Sequence, residues 1–331
     1  MGRIKSEWRS LRFTLGLLFS LLIVGWAVWA LDWGIIWRSL KAVHYGWVAL
    51  GVLLNLCVLW ARTVRWGDLL QPHAGRFGPR FKALVMGQVV NQISPVRVGD
   101  LLRAYLLGQA TAGSKAQALA TIAVEKLWDL LVLIMTVFLV SWFFPMPDWL
   151  AKPARITLAI TVTGLIVLVL LLWQEVQLVA WISHLSRRWV PAGHDRLVGL
   201  SRQLFNGLAS ARDIGLTSKI LGWSALIWLL SGLLNYAIFL AFALPLGLVP
   251  AFLLLVVLQV GIAIPSLPGR IGIFQAICVL VLALFDLPAD QAFSYSLILH
   301  LVVFLPPMIV ALLLGWPLKL LSDYRWQAEY D

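Results

Sequence analysis

Apolar runs long enough to cross a bilayer recur along the chain, near residues 13–31, 46–64, 118–143, 156–173, 220–244 and 291–316. A run of about 20 apolar residues matches the length of a membrane-spanning helix, so these six predict full spans. Two further apolar segments, about 82–109 and 250–286, are interrupted in the middle by proline and glycine. Each keeps about 12 apolar residues on either side of its break, enough for helices of roughly 18 Å that reach the midplane without crossing. They predict re-entrant helical hairpins. Residues 174–219 follow another pattern. Leu197, Leu200, Leu204, Leu208 and Ala211 recur at spacings of three and four, with Arg196, Arg202, Asn206 and Arg212 on other faces. That is an amphipathic helix, and the inner segment of about 176–212 is expected either on the inner membrane surface or as a connector packed under the bundle.

The expected fold class is therefore an all-α polytopic membrane protein, a single transmembrane domain over residues 1–331. Composition agrees: 61% of residues are hydrophobic and 12% charged, about half the charge of an ordinary soluble domain. Thr14–Leu31 is too long for a signal-peptide core and lacks a clear A-x-A site, so it reads as a retained first span. The 18 tryptophans suit a chain with two membrane interfaces. Cys57 and Cys278 lie inside apolar runs and supply neither a disulfide framework nor metal spacing.

The net charge of +11 is largely an orientation signal. With the N-terminus inside, 18 of the 26 Lys and Arg residues, Arg62 and Arg65 among them, fall in inner segments and four in outer ones. The positive-inside rule thus places both termini on the cytoplasmic side. The charge is scattered over short loops rather than gathered in a soluble patch, which argues against nucleic acid as a partner. The four remaining basic residues, Arg97, Arg103, Lys126 and Arg270, fall at or near membrane depth.

The breaks repeat. Pro95-Val96-Arg97-Val98-Gly99 aligns with Pro268-Gly269-Arg270-Ile271-Gly272 at an offset of 173, and the same offset carries the span near 47 onto 220 and the span near 118 onto 291. The expected organisation is an inverted repeat, with a first half of about 46–143 and a second of about 220–316. Interrupted segments at matching positions of two halves point to a transporter's binding site. A helix ending at mid-bilayer leaves unpaired N–H groups, which must line a cavity or meet a polar partner. Pro95, Gly99, Pro268, Gly269 and Gly272 mark the breaks, and the half-helix after each directs its positive end to the midplane.

Asp100, Glu125 and Asp129 join the four cations at membrane depth, where each charge costs about 2.5 to 3.5 kcal/mol. Residues 97, 100 and 103 can form a ladder along one helical face. Glu125 and Asp129, four apart, would repel unless a cation stood between them, and Arg103 or Arg97 is the natural one. The charges either pair off to clamp the hairpin to its neighbour or serve a ligand. Arg97, Arg103 and Arg270 are the candidate substrate-binding residues, since a guanidinium fork suits a phosphate. Asn91, Asp100, Glu125, Lys126 and Asp129 are the candidate supporting or coupling residues. In a chain without a large soluble part, a phosphate-bearing lipid is the simplest anionic ligand.

NQISPVRVGDLLRAYLL, ALATIAVEKLWDLL and PSLPGRIGIFQA together resemble the lysylphosphatidylglycerol synthase transmembrane-region family, over about residues 10–318. The resemblance implies a bacterial-type inner-membrane protein with paired re-entrant helices around a lipid-accessible cavity, moving or binding anionic or aminoacylated phospholipids, as in the flippase portion of the multiple peptide resistance factor. The chain departs from the family's second motif, P-x-x-P-G-G-x-G followed by an acid. Arg270 replaces a glycine, and Gln275 stands where the acid is expected. The soluble aminoacyl-transferase domain is absent from this sequence, so no lysyl-lipid synthesis is expected of it.

The leading reading is a membrane lipid transporter or flippase, not an enzyme, binding a phospholipid or polyprenyl-phosphate headgroup. A polyprenyl-phosphate-dependent glycosyltransferase is the alternative, with Asp32 after the first span as its acid. A third reading is a non-transporting regulatory partner that docks through the amphipathic segment. A second copy of the chain or a membrane enzyme are the protein partners in view. No catalytic residue, metal site or cofactor is assigned: the histidines at 44, 73, 184, 194 and 300 lack zinc-ligand spacing, and neither a Walker A nor a dinucleotide motif occurs.

Overall fold

The computed structural model describes residues 32–70, 75–94, 98–110, 114–144, 148–189, 194–208, 213–261 and 268–315. The expected span at 13–31, and Pro95 and Arg97 of the first break, lie outside them. All regular structure among the described residues is helical: α1 (Trp33–Lys41), α2 (Tyr45–Leu69), α3 (Phe77–Ile93), α4 (Gly99–Ala110), α5 (Lys115–Phe143), α6 (Asp148–Trp173), α7 (Glu175–Trp189), α8 (His194–Leu208), α9 (Ile214–Ala241), α10 (Leu248–Gly261), α11 (Ile273–Leu282) and α12 (Ala289–Leu313). Four helical segments, Tyr45–Leu69, Arg155–Trp173, Ile214–Ala241 and Ala289–Leu313, are long and apolar enough to cross a membrane. The expected span at 118–143 is the 29-residue α5, equally long but carrying Glu125, Lys126 and Asp129 in its middle.

The interrupted segments form paired short helices. α3 and α4 have 17 and 12 residues, and α10 and α11 have 14 and 10. The offset of 173 also relates helix positions. Shifting α2, α3, α4 and α5 by 173 gives 218–242, 250–266, 272–283 and 288–316, and the helices found there are α9, α10, α11 and α12.

Local chemistry explains several element ends. Asp32 caps α1, its carboxylate accepting from the backbone N–H groups of Gly34 and Ile35. Ser114 caps α5 in the same way, accepting from Ala116 and Gln117. Inside α12, Pro306 and Pro307 lack the N–H groups that Val302 and Val303 carbonyls would receive in a regular helix. Asn55 of α2 supplies the missing donor, its Nδ2 reaching the two carbonyls at 2.8 and 3.2 Å.

The described residues form two compact units, one within Met1–Leu59, Val85–Gly99 and Leu229–Asp331, the other within Trp60–Leu84 and Asp100–Trp228. In the first, α12 packs on α1 and α11, and α11 on α10. Ile36 and Phe293 form one buried contact there, flanked by Leu40, Val279 and Leu297. In the second, α5 packs against α6 and α8, and α8 against α7, around Leu69, Val124, Leu168 and Ile220.

The amphipathic segment divides into α7 and α8, and its buried face differs from the leucine stripe. Ser201, Phe205 and Gly207 are buried, while Leu197, Leu200 and Leu204 are exposed. The cause is close approach: a Cβ on Gly207 would meet Ala120 and the Gln117 backbone of α5. Ser114 Oγ also donates to Gln203 at 2.5 Å. Gly207 thus brings α8 close to α5, and most of the leucine stripe is left outward.

Candidate functional site

The expected site residues gather in two clusters, one in each unit. In the unit within Trp60–Leu84 and Asp100–Trp228, Glu125 and Asp129 lie one turn apart on α5. The cation between them is Arg65 of α2, whose side chain is fully buried. Its Nη1 and Nη2 donate to the two Asp129 oxygens at 2.5 and 3.2 Å, and Nη2 lies 3.0 Å from Glu125 Oε1. Ser224 Oγ of α9 accepts from Nη1 at 2.7 Å.

Arg103 of α4 takes the other side of Glu125. Its Nη1 and Nη2 donate to Oε1 and Oε2 at 3.2 and 2.8 Å, a fork-on-carboxylate pair. The guanidinium lies 3.7 Å from the Trp66 ring centroid, and the Trp66 indole N–H donates to Thr121 Oγ1 at 3.2 Å. Arg62 of α2 adds its charge to the same carboxylates, and Lys126 adds its own beside Glu125. Asp100 sits in the first turn of α4, where the helix dipole favours a carboxylate.

In the structure both terminal nitrogens of Arg103 are therefore engaged with Glu125. Charge counting places Arg65 in an inner loop, because the apolar run of the sequence ends near residue 64. The helix continues to Leu69. Arg62 and Arg65, three apart on the face that continues that run, were the available signal, together with two carboxylates in need of a cation.

The charged cluster has no charged counterpart at the offset of 173. Shifted by 173, Arg62, Arg65, Arg103, Glu125 and Asp129 become Asn235, Ile238, Ala276, Ile298 and Val302, and Ser224 shifted back becomes Gly51. The counterparts meet too: a Cβ on Gly51 would touch both Ile238 and Val302, which are buried. Arg65, Asp129 and Ser224 converge in one unit where Ile238, Val302 and Gly51 converge in the other. The same helix set thus packs around an apolar contact, and the fold alone does not call for the charges. Replacing a buried ion pair by well-packed apolar residues of similar volume is often neutral or stabilising.

The second cluster, in the unit within Met1–Leu59, Val85–Gly99 and Leu229–Asp331, joins the two breaks. Asn91 near the end of α3 accepts the Gly99 N–H on its Oδ1 at 2.8 Å, spanning the first break. A Cβ on Gly99 would run into the Gly87 carbonyl and the Asn91 side chain. Arg270 of the second break donates from Nη2 to the Asn91 carbonyl at 3.5 Å, the outer limit of a hydrogen bond. Pro268–Arg270 form a short 3-10 turn. Gly269 at φ 76, Arg270 at φ 59 and Gly272 at φ 91 all take left-handed backbone, which costs a non-glycine residue such as Arg270. Gln275 accepts the Gly272 N–H and meets His300 of α12. Gln275 is the residue of the second motif that stands in place of the expected acid, and His300 lies outside the motifs. Two surface clefts, of about 460 and 480 Å³, are lined by Ile182, Leu185, Ser186, Trp189 and Leu197, and by residues 44–47 with Leu50. Neither is lined by a residue of either cluster.

Residues 13–311 match the family described as the lysylphosphatidylglycerol synthase TM region. The chain belongs to that family. Three relatives, each named a UPF0104 membrane protein and each from Methanothermobacter thermautotrophicus, align with most of this chain. One is 25% identical over 261 residues, 73% of this chain and 76% of the relative. Another is 24% identical over 310 residues, 85% and 86% of the two chains, and a third 25% identical over 308 residues, 88% and 89%. No solved structure matches the chain. Membership in the family, with several apolar helices of membrane-crossing length, makes this a multi-pass membrane protein.

Proposed function

We propose that this member of the family is a membrane lipid transporter that takes an anionic or aminoacylated phospholipid, or a polyprenyl phosphate, by its phosphate at the paired breaks. The observation that carries the reading is the contact between the breaks, where Arg270 of the second reaches the Asn91 carbonyl of the first. A guanidinium in a left-handed turn just before a half-helix offers a phosphate a two-pronged donor beside a positive helix end. Arg97 is the equivalent residue of the first half.

In this reading the interrupted segments are re-entrant, the two halves have opposite orientation, and alternating access comes from rocking around the breaks. Arg103, Glu125, Arg65 and Asp129 tie α4 to α5 and α2 so that these three move together. The orientation is the one the loop charges favour, with both termini cytoplasmic in a plasma membrane.

The chain acts here as a carrier rather than an enzyme. Asp32, the acid that a glycosyltransferase would need, is engaged in capping α1, and its own N–H donates to Asp290 at 2.9 Å. The test is headgroup translocation in liposomes holding the full chain. Arg270→Ala is expected to slow it about tenfold or more, the worth of a lost charge-assisted contact of about 1.5 to 3 kcal/mol. Unchanged rates in both Arg97→Ala and Arg270→Ala would overturn the reading.

A further inference from the structure

Gly272, Gln275 and His300 form a polar chain whose proton positions are fixed by valence. The Gly272 N–H can only donate, so the amide oxygen of Gln275, 2.8 Å away, must be the atom facing it. The Gln275 nitrogen is then the atom 3.0 Å from His300 Nδ1, and it too can only donate. His300 Nδ1 must accept, which makes the imidazole neutral with its proton on Nε2. The ring packs between Phe274 and Phe304, with centroids 4.8 and 4.2 Å away, and hydrogen-bonds the backbone of Gly269. At the equivalent positions of the first half stand Leu102 and Leu127. The helix set therefore forms without this polar pair.

We infer that His300 is a proton-binding site that couples protonation to the second break. A proton arriving from water on Nδ1 would set an imidazolium N–H against the Gln275 NH2, donor against donor. The amide has one oxygen, so it can serve Gly272 or the imidazolium but not both. The charge-assisted bond is the stronger, so the amide turns to His300 and the Gly272 N–H loses its acceptor. No covalent bond other than N–H changes. Gly272 is the N-cap of α11, two residues after Arg270, so the event loosens the turn that presents the arginine.

Arg270 is the charged group that acts on His300 among the described residues, and it opposes a second positive charge. Within the same unit, the other ionisable groups on elements packed around it are Asp290 and Tyr295 on α12, Cys278 on α11, Arg38 and Lys41 on α1 with Asp32 at its cap, Tyr45 and Cys57 on α2 and Tyr236 on α9; α10 carries none. An anion on Arg270 removes the opposition, so anion binding and proton binding favour each other by the same factor. This last step rests on the transport reading. The proton switch itself does not.

The test uses the full chain in nanodiscs with 15N-labelled histidine, His300 being assigned by loss of its signal in His300→Phe. The neutral ring is expected as the Nε2–H tautomer. Hydrogen-exchange protection of the peptide covering 271–276, corrected for intrinsic pH dependence, is expected to fall about tenfold as the ring becomes cationic, the effect of one lost hydrogen bond. Gln275→Glu, whose carboxylate accepts from both donors, is expected to keep its protection through the same titration. An Nδ1–H tautomer, or wild-type protection that is flat through the titration, overturns the inference. Liposome translocation measured on the same samples separates the two readings. A working switch without translocation sinks only the transporter, and pH-independent protection with translocation sinks only the switch.

Discussion

Glu125→Ala removes one carboxylate and leaves two buried guanidinium groups short of a partner. Arg103 loses both of its hydrogen bonds to the carboxylate and keeps the Trp66 face, while Arg65 keeps Asp129 and Ser224. Both side chains are almost wholly buried, at 0% and 6% exposure, so solvent cannot take over. Breaking a buried pair by deleting one partner costs about 3 to 5 kcal/mol, or roughly two to three and a half orders of magnitude in the folded-to-unfolded ratio. The informative comparison replaces the charges with uncharged residues of similar volume, four of them those at the offset of 173: Arg62→Asn, Arg65→Ile, Arg103→Met, Glu125→Ile and Asp129→Val together. That variant buries no uncompensated charge, and the Ser224 hydroxyl can turn back to its own helix. It is expected to match the wild type, or to exceed it by up to about 4 kcal/mol, while losing translocation. The assay is denaturant unfolding in detergent micelles, with wild type, single and fivefold variants side by side. A fivefold variant as unstable as Glu125→Ala would show that the fold itself needs the charges, and would refute the inference that they are kept for function.

Three further outcomes follow from contacts elsewhere in the chain. Gly99→Ala places a methyl group against the Gly87 carbonyl and Asn91; it should lower stability by about 1 to 3 kcal/mol in the same unfolding assay. Asn55→Leu leaves the Val302 and Val303 carbonyls without their side-chain donor and should cost about 1 to 3 kcal/mol, whereas Asn55→Gln restores part of it. Asp32→Ala removes the α1 cap and should cost about 1 kcal/mol with headgroup translocation unchanged.

The helices were legible because hydropathy and helix length share one ruler: expected spans at 46–64, 156–173, 220–244 and 291–316 correspond to α2, the later part of α6, α9 and α12. The offset of 173, first seen in three short matches, reappears in four helix positions. Pairing of Arg103 with Glu125 was among the arrangements that the spacing allowed. Arg65 was hidden because positive-inside counting reads an arginine just past an apolar run as a loop residue, and nothing in hydropathy tells a helix that continues from one that stops. The buried face of α8 was hidden for a related reason. Spacing identifies which residues share a face, but the approach of Gly207 to α5 depends on a neighbour distant in sequence. Gln275 was legible only as a departure from the second motif and His300 lies in no motif, so their meaning depends on which atom faces which.

The central claim, that arginines at the two breaks hold a lipid phosphate, is tested most directly by native mass spectrometry of the purified chain. Wild-type protein is predicted to retain anionic phospholipid that the Arg97→Ala/Arg270→Ala double variant releases, with zwitterionic lipid retained equally by both. Equal retention of the anionic lipid by the double variant would contradict it.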